Sequence, residues 1–204
     1  MPHTNRVDPF GVIRAVPERG LVYGNRGGRF HRDDHTLRPR PWVSRQWISC
    51  VLSFKGRHHE VMGPGYTGLF FLDEPTAFAA GHRPCFECRR ADATRFAAAW
   101  ARAKGQAIPP RAPAMDLVLQ AERVDGRAKR LHDINCDDLA DGAMVALDGA
   151  AFAVRGSEIL PWSFAGYGPP RPRPSGTVRL LTPPAIVAAL GAGYAPAWHP
   201  SAGT

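Results

Sequence analysis

The sequence predicts an α+β fold, on three observations made within its 204 residues. Apolar runs rich in β-forming residues precede alanine-rich segments of helical character in the first half of the chain. A proline-rich stretch at 106–113 has the composition of a connector. Two short apolar runs surround Asp148-Gly149, a strong short-range signal for a β-hairpin. We therefore expect a small α/β module over residues 1–105, with a basic N-terminal segment, and a mixed helix and β-hairpin region over 114–204.

The elements of the first region follow from local patterns. Residues 1–45 are rich in glycine and charge, which predicts turns around short strands. The elements expected after them are a buried strand at 47–54, a strand at 69–72, a short helix at 73–81 and a longer helix at 91–105. Asp73 or Glu74 stands near the N-cap of the short helix, Pro75 lies in its first turn, and Gly81 is expected to end it.

The second region mixes helix, hairpin and loop signals. The elements expected there are a helix at 114–123, a basic turn at 125–133, the hairpin around Asp148-Gly149, a long loop at 159–176 and a final strand followed by a helix that ends at Gly191. Thr182 is the expected N-cap of that last helix, with Pro183 at its start. The segment 159–176 contains so many prolines that a central strand is not expected there.

The charge balance favours a polyanionic partner. The formal net charge is +8, and only Lys55, Lys104 and Lys129 among the 26 basic residues are lysine. Arginine matches phosphate geometry better than lysine does, so nucleic acid is the expected partner. The alternative is that an arginine-rich and alanine-rich composition reflects the codon usage of the genome.

No apolar run reaches the length of a membrane span, and the first residues lack the apolar core of a signal peptide. These absences predict a cytoplasmic protein with no membrane contact. In that compartment the four cysteines are expected to be reduced or metal-bound rather than joined in disulfides.

Cysteine spacing predicts a metal site. Cys85 and Cys88 form a CxxC pair, which lets two thiolates reach one ion from a single tight turn. Cys50 lies 35 residues upstream, at the end of a predicted strand, and is the expected third ligand. Two alternatives stay open at this point: three ordinary buried cysteines, or a redox-active CxxC, although the βαβ context typical of the latter is missing.

The segment "WISC…LFFLDEPTAFAAGHRPCFECRR" resembles the zinc-binding domain of the bacterial Ada alkylation-response DNA repair protein, over roughly residues 45–92. The resemblance is carried by the Arg-Pro-Cys-x-x-Cys element, by the alanine-rich segment before it, and by the position of Cys50. It implies zinc held by Cys50, Cys85 and Cys88. The family's second cysteine falls on Phe54 in this chain, so either another residue supplies the fourth ligand or that coordination position is open. His82 and His31 are the preferred candidates; His58, His59 and Cys136 are also possible.

Together these observations predict a zinc-binding, nucleic-acid-binding protein, with DNA favoured over RNA and a role in DNA repair or processing. The zinc is expected to be mainly structural, because three thiolates and a neutral ligand make a less nucleophilic sulfur than four thiolates do. The residues expected to contact phosphate are Arg45, Arg83, Arg89, Arg90, Arg127, Lys129 and Arg130. Trp162, Phe164 and Tyr167 either stack on bases or hold their loop against the core.

Two other classes of function remain open. A metal-dependent enzyme acting on nucleic acid would use polar loops at 31–35 or 132–138, or would accept a methyl group from a phosphotriester on Cys50, as in Ada. A zinc module that binds a protein partner is the second. A structural zinc predicts that Trp47, Phe54, Phe70 and Phe71 bury all three cysteines. Methyl transfer instead requires Cys50 to face an opening lined by arginine.

Overall fold

The computed structural model describes residues 2–56 and 60–203. The strands are β1 (Arg6–Val7), β2 (Ile13–Arg14), β3 (Val22–Arg26), β4 (Trp47–Cys50), β5 (Leu69–Phe71), β6 (Arg83–Pro84), β7 (Val124–Asp125), β8 (Ala128–Lys129), β9 (His132–Asn135), β10 (Met144–Leu147), β11 (Ala150–Arg155), β12 (Glu158–Ser163), β13 (Gly166–Tyr167), β14 (Arg171–Pro172) and β15 (Thr177–Leu180). The α-helices are α1 (Glu74–Ala79), α2 (Arg90–Ala103), α3 (Ala112–Arg123) and α4 (Pro184–Gly191). The predicted α+β class is confirmed.

The first sheet positions the cysteines. Its strand order is β2-β1-β5-β3-β4-β6, and β6 pairs with β4 in the parallel sense. The basic N-terminal segment supplies the short strands β1, β2 and β3, as predicted, and β3 lies between β5 and β4. In the β3–β4 pair, Tyr23 lies opposite Cys50 and Arg26 opposite Trp47. Directly opposed residues share a face and successive residues alternate, so Tyr23 and Cys50 lie on one face and Arg26 and Trp47 on the other.

The second sheet forms most of the remaining fold. Its order is β13-β12-β11-β10-β15-β9, with β14 also paired to β12. The predicted hairpin joins β10 to β11, and Asp148 and Gly149 both have positive φ, as a tight turn of this kind requires. The expectation of a long loop at 159–176 is wrong, because β12 includes Pro161 within the sheet. The carbonyl of Pro161 accepts a hydrogen bond from the Gly168 amide, and β13 and β14 are short, so the missing N–H is tolerated.

The observed helices agree with the predicted ones within a few residues at each end. Asp73 caps α1 as predicted, with a carboxylate oxygen 3.0 Å from the Thr76 amide nitrogen. The expected N-cap of α4 is wrong: Pro183 occupies that position, and the Thr182 hydroxyl instead accepts a hydrogen bond from the Met144 amide. No helix among the described residues combines the length and the apolar character needed to span a bilayer.

One hydrophobic cluster joins both halves of the chain. It includes side chains from α2, α3, α4 and the second sheet, among them Phe96, Trp100, Met115, Leu119, Val145 and Val154. A second cluster lies on the other face of β10, where Met144 packs with Leu72 and Tyr167. The middle of the second sheet is therefore covered on both faces, which explains why β10 and most of β11 are apolar, whereas β15 alternates between exposed and buried residues.

Candidate metal centre

Parallel pairing between β4 and β6 brings the cysteines together. Ser49 lies opposite Pro84 in this pair, and the Cys85 amide donates to the Ser49 carbonyl at 3.0 Å. The next residue of each strand, Cys50 and Cys85, therefore emerges at the same edge. A turn then returns the chain, with the Arg89 amide donating to the Cys85 carbonyl at 3.1 Å. This turn places Cys88 beside the first two cysteines.

The three sulfurs form a compact donor set. The Sγ atoms of Cys50, Cys85 and Cys88 all lie within 4.8 Å of one another, and no other group of three or more potential ligands occurs among the described residues. Sulfurs held tetrahedrally at about 2.3 Å from one zinc ion lie about 3.8 Å apart. The 4.8 Å limit on the sulfur separations is compatible with that spacing. All four cysteines of the chain are free of disulfides, as predicted, so these three can hold a metal ion.

The three thiols influence one another's ionisation. Hydrogen bonds from the Cys50 and Cys88 side chains, and further ones from the Cys88 and Glu87 amides, lower the pKa of Cys85. Cys50 is affected in the opposite direction: its hydrogen bonds to Cys85 and Cys88, together with burial, raise its pKa. Three thiolates this close together repel one another, and a bound cation removes that repulsion. The cluster is thus suited to a divalent, thiophilic metal ion.

A buried ionic network holds the turn after Cys88 in place. Arg89 lies 2.8 Å from Glu74 and 2.9 Å from Asp92, and it also donates to the Ser49 hydroxyl at 3.2 Å. Burial raises the pKa of Glu74, and the charge of Arg89 opposes that shift. Glu74 also accepts from the Tyr194 hydroxyl at 2.9 Å. Tyr194, in the C-terminal region, therefore helps to position Glu74 at the start of α1, and Glu74 in turn holds Arg89 next to Cys88.

The cysteine cavity is a space of about 650 Å³ that opens onto the three sulfurs. Its other lining residues include Arg19, Tyr23, Asn25, Gln46 and Tyr66. Cys85 is buried, whereas Cys50 and Cys88 are only partly buried. The expected aromatic shell is present in part: Phe54 lines the cavity and Phe70 lies on the Cys50 face, whereas Trp47 belongs to the opposite face of the sheet. Phe71 packs on that opposite face too, with its ring 4.6 Å from the His82 ring.

The predicted histidine ligands lie away from the sulfur cluster. His82 is fully buried and accepts a hydrogen bond from Arg26 Nε at 3.4 Å. His31 is also buried, with Nδ1 2.7 Å from the Thr67 hydroxyl and Nε2 accepting from Arg29. Neither belongs to the group of three sulfurs. Cys136 lies in the hydrophobic core. The other two candidates, His58 and His59, are outside the described residues.

Two of the arginines predicted to contact phosphate are instead buried in ion pairs. Arg83 makes two hydrogen bonds to Asp116, at 2.8 and 2.7 Å, and is only 1% exposed. Arg89 belongs to the network described above. Both side chains are committed to neighbours inside the fold and do not reach the surface. Arg45, Arg90, Arg127 and Arg130 are exposed, and Lys129 is partly buried with its ammonium donating to the Ala79 carbonyl.

The remaining polar and aromatic candidates have structural partners. Tyr167 donates to Asp73 at 2.9 Å, and Trp162 Nε1 donates to the Thr76 hydroxyl at 3.0 Å. These bonds hold β12 and β13 against the start of α1, which agrees with the packing alternative for the aromatic residues. In the polar loops, Asp33 pairs with Arg29 and Asp133 with Arg179 at 3.0 Å. Neither loop forms a second ligand cluster within the described parts of the chain.

Comparison with known proteins finds no matching family model, no matching curated protein and no matching solved structure. The assignment of the metal centre therefore depends on the arrangement of the three cysteines alone.

Two wall residues of the cysteine cavity, Tyr23 and Asn25, are not among the predicted site residues. They are two residues apart in β3, and this spacing alone predicts that they share a face. The partner strand and its register are needed to show that this face is also the face of Cys50.

Proposed function

We propose that this protein binds zinc through Cys50, Cys85 and Cys88 and binds nucleic acid, DNA in preference to RNA. The observation that supports it best is the convergence of the three sulfurs at one edge of the first sheet, beside an open cavity. The preference for DNA rests on the resemblance to the Ada zinc-binding domain. Three thiolates and one further ligand supply the tetrahedral set that zinc favours.

In this proposal the zinc mainly organises the fold. The three ligands come from the end of β4, the end of β6 and the turn before α2, and these elements are short. A metal ion bound there links them in the way that structural zinc sites stabilise small domains. The nucleic acid is held by exposed arginines on the surface, whose contacts with phosphate release counterions.

The test has two parts. Metal analysis of the purified protein should give about one zinc per chain, because the three sulfurs make a single site. Duplex DNA, single-stranded DNA and RNA of equal length are then titrated at several salt concentrations. We expect tighter binding to DNA and an affinity that falls steeply with salt. Zinc without nucleic-acid affinity at low salt would favour the alternative of a module that binds a protein partner.

A second candidate function is methyl acceptance by Cys50, and the cysteine cavity is the observation that favours it. Cys50 faces this cavity, and Arg19 lies in its wall, where it can attract a phosphate group. In this reaction the Cys50 sulfur attacks the methyl carbon of a methylphosphotriester. The new S–C bond forms as the C–O bond breaks, and the electron pair leaves with the phosphodiester oxygen.

Intact-mass spectrometry after incubation with DNA carrying methylphosphotriesters distinguishes the two candidates. One added methyl group on Cys50, absent in Cys50→Ser, would establish the acceptor function. An unchanged mass in a protein that binds the same DNA would support the binding function alone.

A further inference from the structure

A second cavity lies on the opposite face of the first sheet from the cysteines. We call it the arginine–tryptophan pocket; it has a volume of about 430 Å³, and its lining includes Arg26, Arg123, Lys129, Trp42 and Trp47. Arg38 and Arg127 also line it. None of the described residues that line this pocket is acidic. Five cations with no carboxylate among them create a strongly positive cavity.

The two inner arginines are fixed on one aromatic ring. The guanidinium carbons of Arg26 and Arg123 lie 4.1 and 4.0 Å from the centre of the Trp47 ring. Arg123 donates to the carbonyls of Gly81 and Arg45 at 2.8 and 2.7 Å, so its position is set by the backbone. Gly81 has a positive φ, and a Cβ there would lie 2.6 Å from the Arg123 side chain. A side chain at position 81 would clash with Arg123, so this position requires glycine.

One buried donor of the pocket lacks a partner among the described residues, whereas the cations beside it are only partly satisfied by the chain. Arg26 donates from Nε to His82 at 3.4 Å and from Nη2 to the Gly11 carbonyl at 3.1 Å. Lys129 has the Ala79 carbonyl as its one hydrogen-bond acceptor among the described residues. The indole N–H of Trp42 is buried, the residue being 6% exposed, and has no acceptor within the described chain. Buried donors of this kind normally have partners, so an acceptor from outside the chain is implied.

We propose that the arginine–tryptophan pocket binds a small organic oxyanion, a phosphate or carboxylate group joined to a planar ring. The unpaired indole N–H of Trp42 and the fixed cations suit an oxyanion, because bonds between charged groups are strong in a partly buried site. The walls are mainly apolar and include Trp42, whose ring can contact a planar ring of the ligand, whereas the Trp47 ring is already covered by Arg26 and Arg123. The volume lies in the range of small-molecule pockets and accommodates a ligand of mononucleotide size.

The ionisation of the buried cations agrees with this assignment. Burial lowers the pKa of Lys129 to about 7, and the nearby charges of Arg26 and Arg123 act in the same direction. Burial likewise lowers the pKa of each of these two arginines to about 9. Asp8 attracts Arg26 and Lys129, but it is engaged by the Val12 amide and by Arg14. A bound oxyanion would supply the negative charge that the pocket lacks.

Two further titratable groups act on the inner arginines: Asp116 attracts Arg123 but is paired with Arg83, and His82 contacts Arg26. Burial lowers the pKa of His82 well below the usual value, and the charges of Arg26 and Arg123 add to the effect, so it stays neutral near pH 7. Lys129 is therefore the group whose protonation changes near neutral pH. Oxyanion affinity should fall as the pH rises from 6 to 8, since the ammonium loses its proton over that interval while both arginines stay charged.

The experiment is a calorimetric and tryptophan-fluorescence titration of the full chain at pH 6.5. The probes are adenosine monophosphate, indole-3-acetate, adenosine and inorganic phosphate. We expect saturable binding of one or both ring-bearing oxyanions, no binding of adenosine, and weaker binding of inorganic phosphate. The first two probes distinguish a phosphate ligand from a carboxylate ligand.

Three variants complete the design. Lys129→Met should weaken the bound oxyanion about tenfold or more, while Lys129→Arg should retain binding and lose the fall in affinity at high pH. Arg130→Ala is the matched control, because Arg130 is exposed, adjacent in sequence and absent from the pocket. Zinc content should be the same in all of them.

The proposal is overturned if no probe binds, if adenosine binds as tightly as its monophosphate, or if Lys129→Met binds like the wild type. Equal affinity for inorganic phosphate and the monophosphate would contradict the stacking of a planar ring. These outcomes are independent of zinc and DNA binding, so failure here is distinguishable from failure of the proposed function.

Discussion

The two faces of the first sheet carry opposite chemistry. One face presents three sulfurs to the cysteine cavity, where a bound cation favours the deprotonation of all three thiols. The other face presents Arg26 beside Trp47 and contributes to a pocket lined by cations without a carboxylate. Both arrangements arise from alternation along the same two strands, since each residue of β3 and β4 faces away from the next. A single backbone register thus places sulfur ligands in one cavity and cationic side chains in the other.

The buried arginines of the first region differ in whether a carboxylate accompanies them. Arg83 is buried against Asp116 and belongs to the scaffold, whereas Arg26 is equally buried with no carboxylate within salt-bridge distance among the described residues. A buried cation without an acid is costly for the fold. We expect such a residue where a ligand supplies the missing charge.

Removing the thiolates of Cys85 and Cys88 from the cysteine face should have the largest effect, on both zinc content and stability. In Cys85→Ser/Cys88→Ser, zinc should be lost and the thermal unfolding midpoint should fall sharply, because metal binding is coupled to folding. Metal analysis and circular dichroism measure the two effects. Cys136→Ala is the control: this cysteine is buried in the core, outside the sulfur cluster, and its variant should retain zinc. Unchanged zinc in the double variant would contradict the metal centre.

The second-largest effect should come from breaking the buried ion pair between Arg83 and Asp116. Arg83→Met leaves the Asp116 carboxylate buried without its partner, and we expect a loss of about 3–5 kcal/mol in the free energy of unfolding. Urea denaturation measures it. Adding Asp116→Leu should recover most of the loss, since no charge is then left unpaired. Arg90→Met is the exposed control and should change stability by about 0.5 kcal/mol or less. A loss in Arg90→Met as large as that in Arg83→Met would break the distinction between scaffold and surface arginines.

On the other face, the expected effect is a change in the pH dependence of stability. The pKa of Lys129 is lowered to about 7 in the folded state, below its ordinary value of 10.5. Between those values the unfolded chain binds more protons, so stability should rise with pH from about 7 to 10.5. Lys129→Met should be more stable than wild type at pH 6 and show less of this rise. Urea denaturation at a series of pH values checks it, and identical profiles would show that the lysine is not desolvated.

Single surface arginines should have the smallest effect. If Arg90 contacts one phosphate, Arg90→Ala should reduce the log–log salt slope of DNA binding by about 0.9. Arg179→Ala is the control, because Arg179 lies on the second sheet and pairs with Asp133. An equal reduction in both variants would indicate attraction by net charge alone rather than a defined DNA surface.

Local signals in the sequence predict the cysteine site better than the pocket. The CxxC pair and the cysteine at the end of a predicted strand need only one strand pairing to converge. The ion pair of Arg83 escapes local reasoning because its partner, Asp116, lies 33 residues later in a helix whose packing no local pattern indicates. The contact between Trp47 and Arg123 joins positions even further apart in the sequence. Proline content is also a misleading guide, since a strand flanked by very short neighbours accommodates Pro161.

In the proposed metal centre, Cys50, Cys85 and Cys88 hold one zinc ion with a fourth position that no cysteine fills. Zinc X-ray absorption spectroscopy of the purified protein tests this coordination most directly. We expect three sulfur neighbours at about 2.3 Å and one nitrogen or oxygen neighbour at about 2.0–2.1 Å. Substitution of Cys50 by serine should reduce the sulfur count by one. Four sulfur neighbours, or a protein that carries no zinc, would contradict the proposed centre.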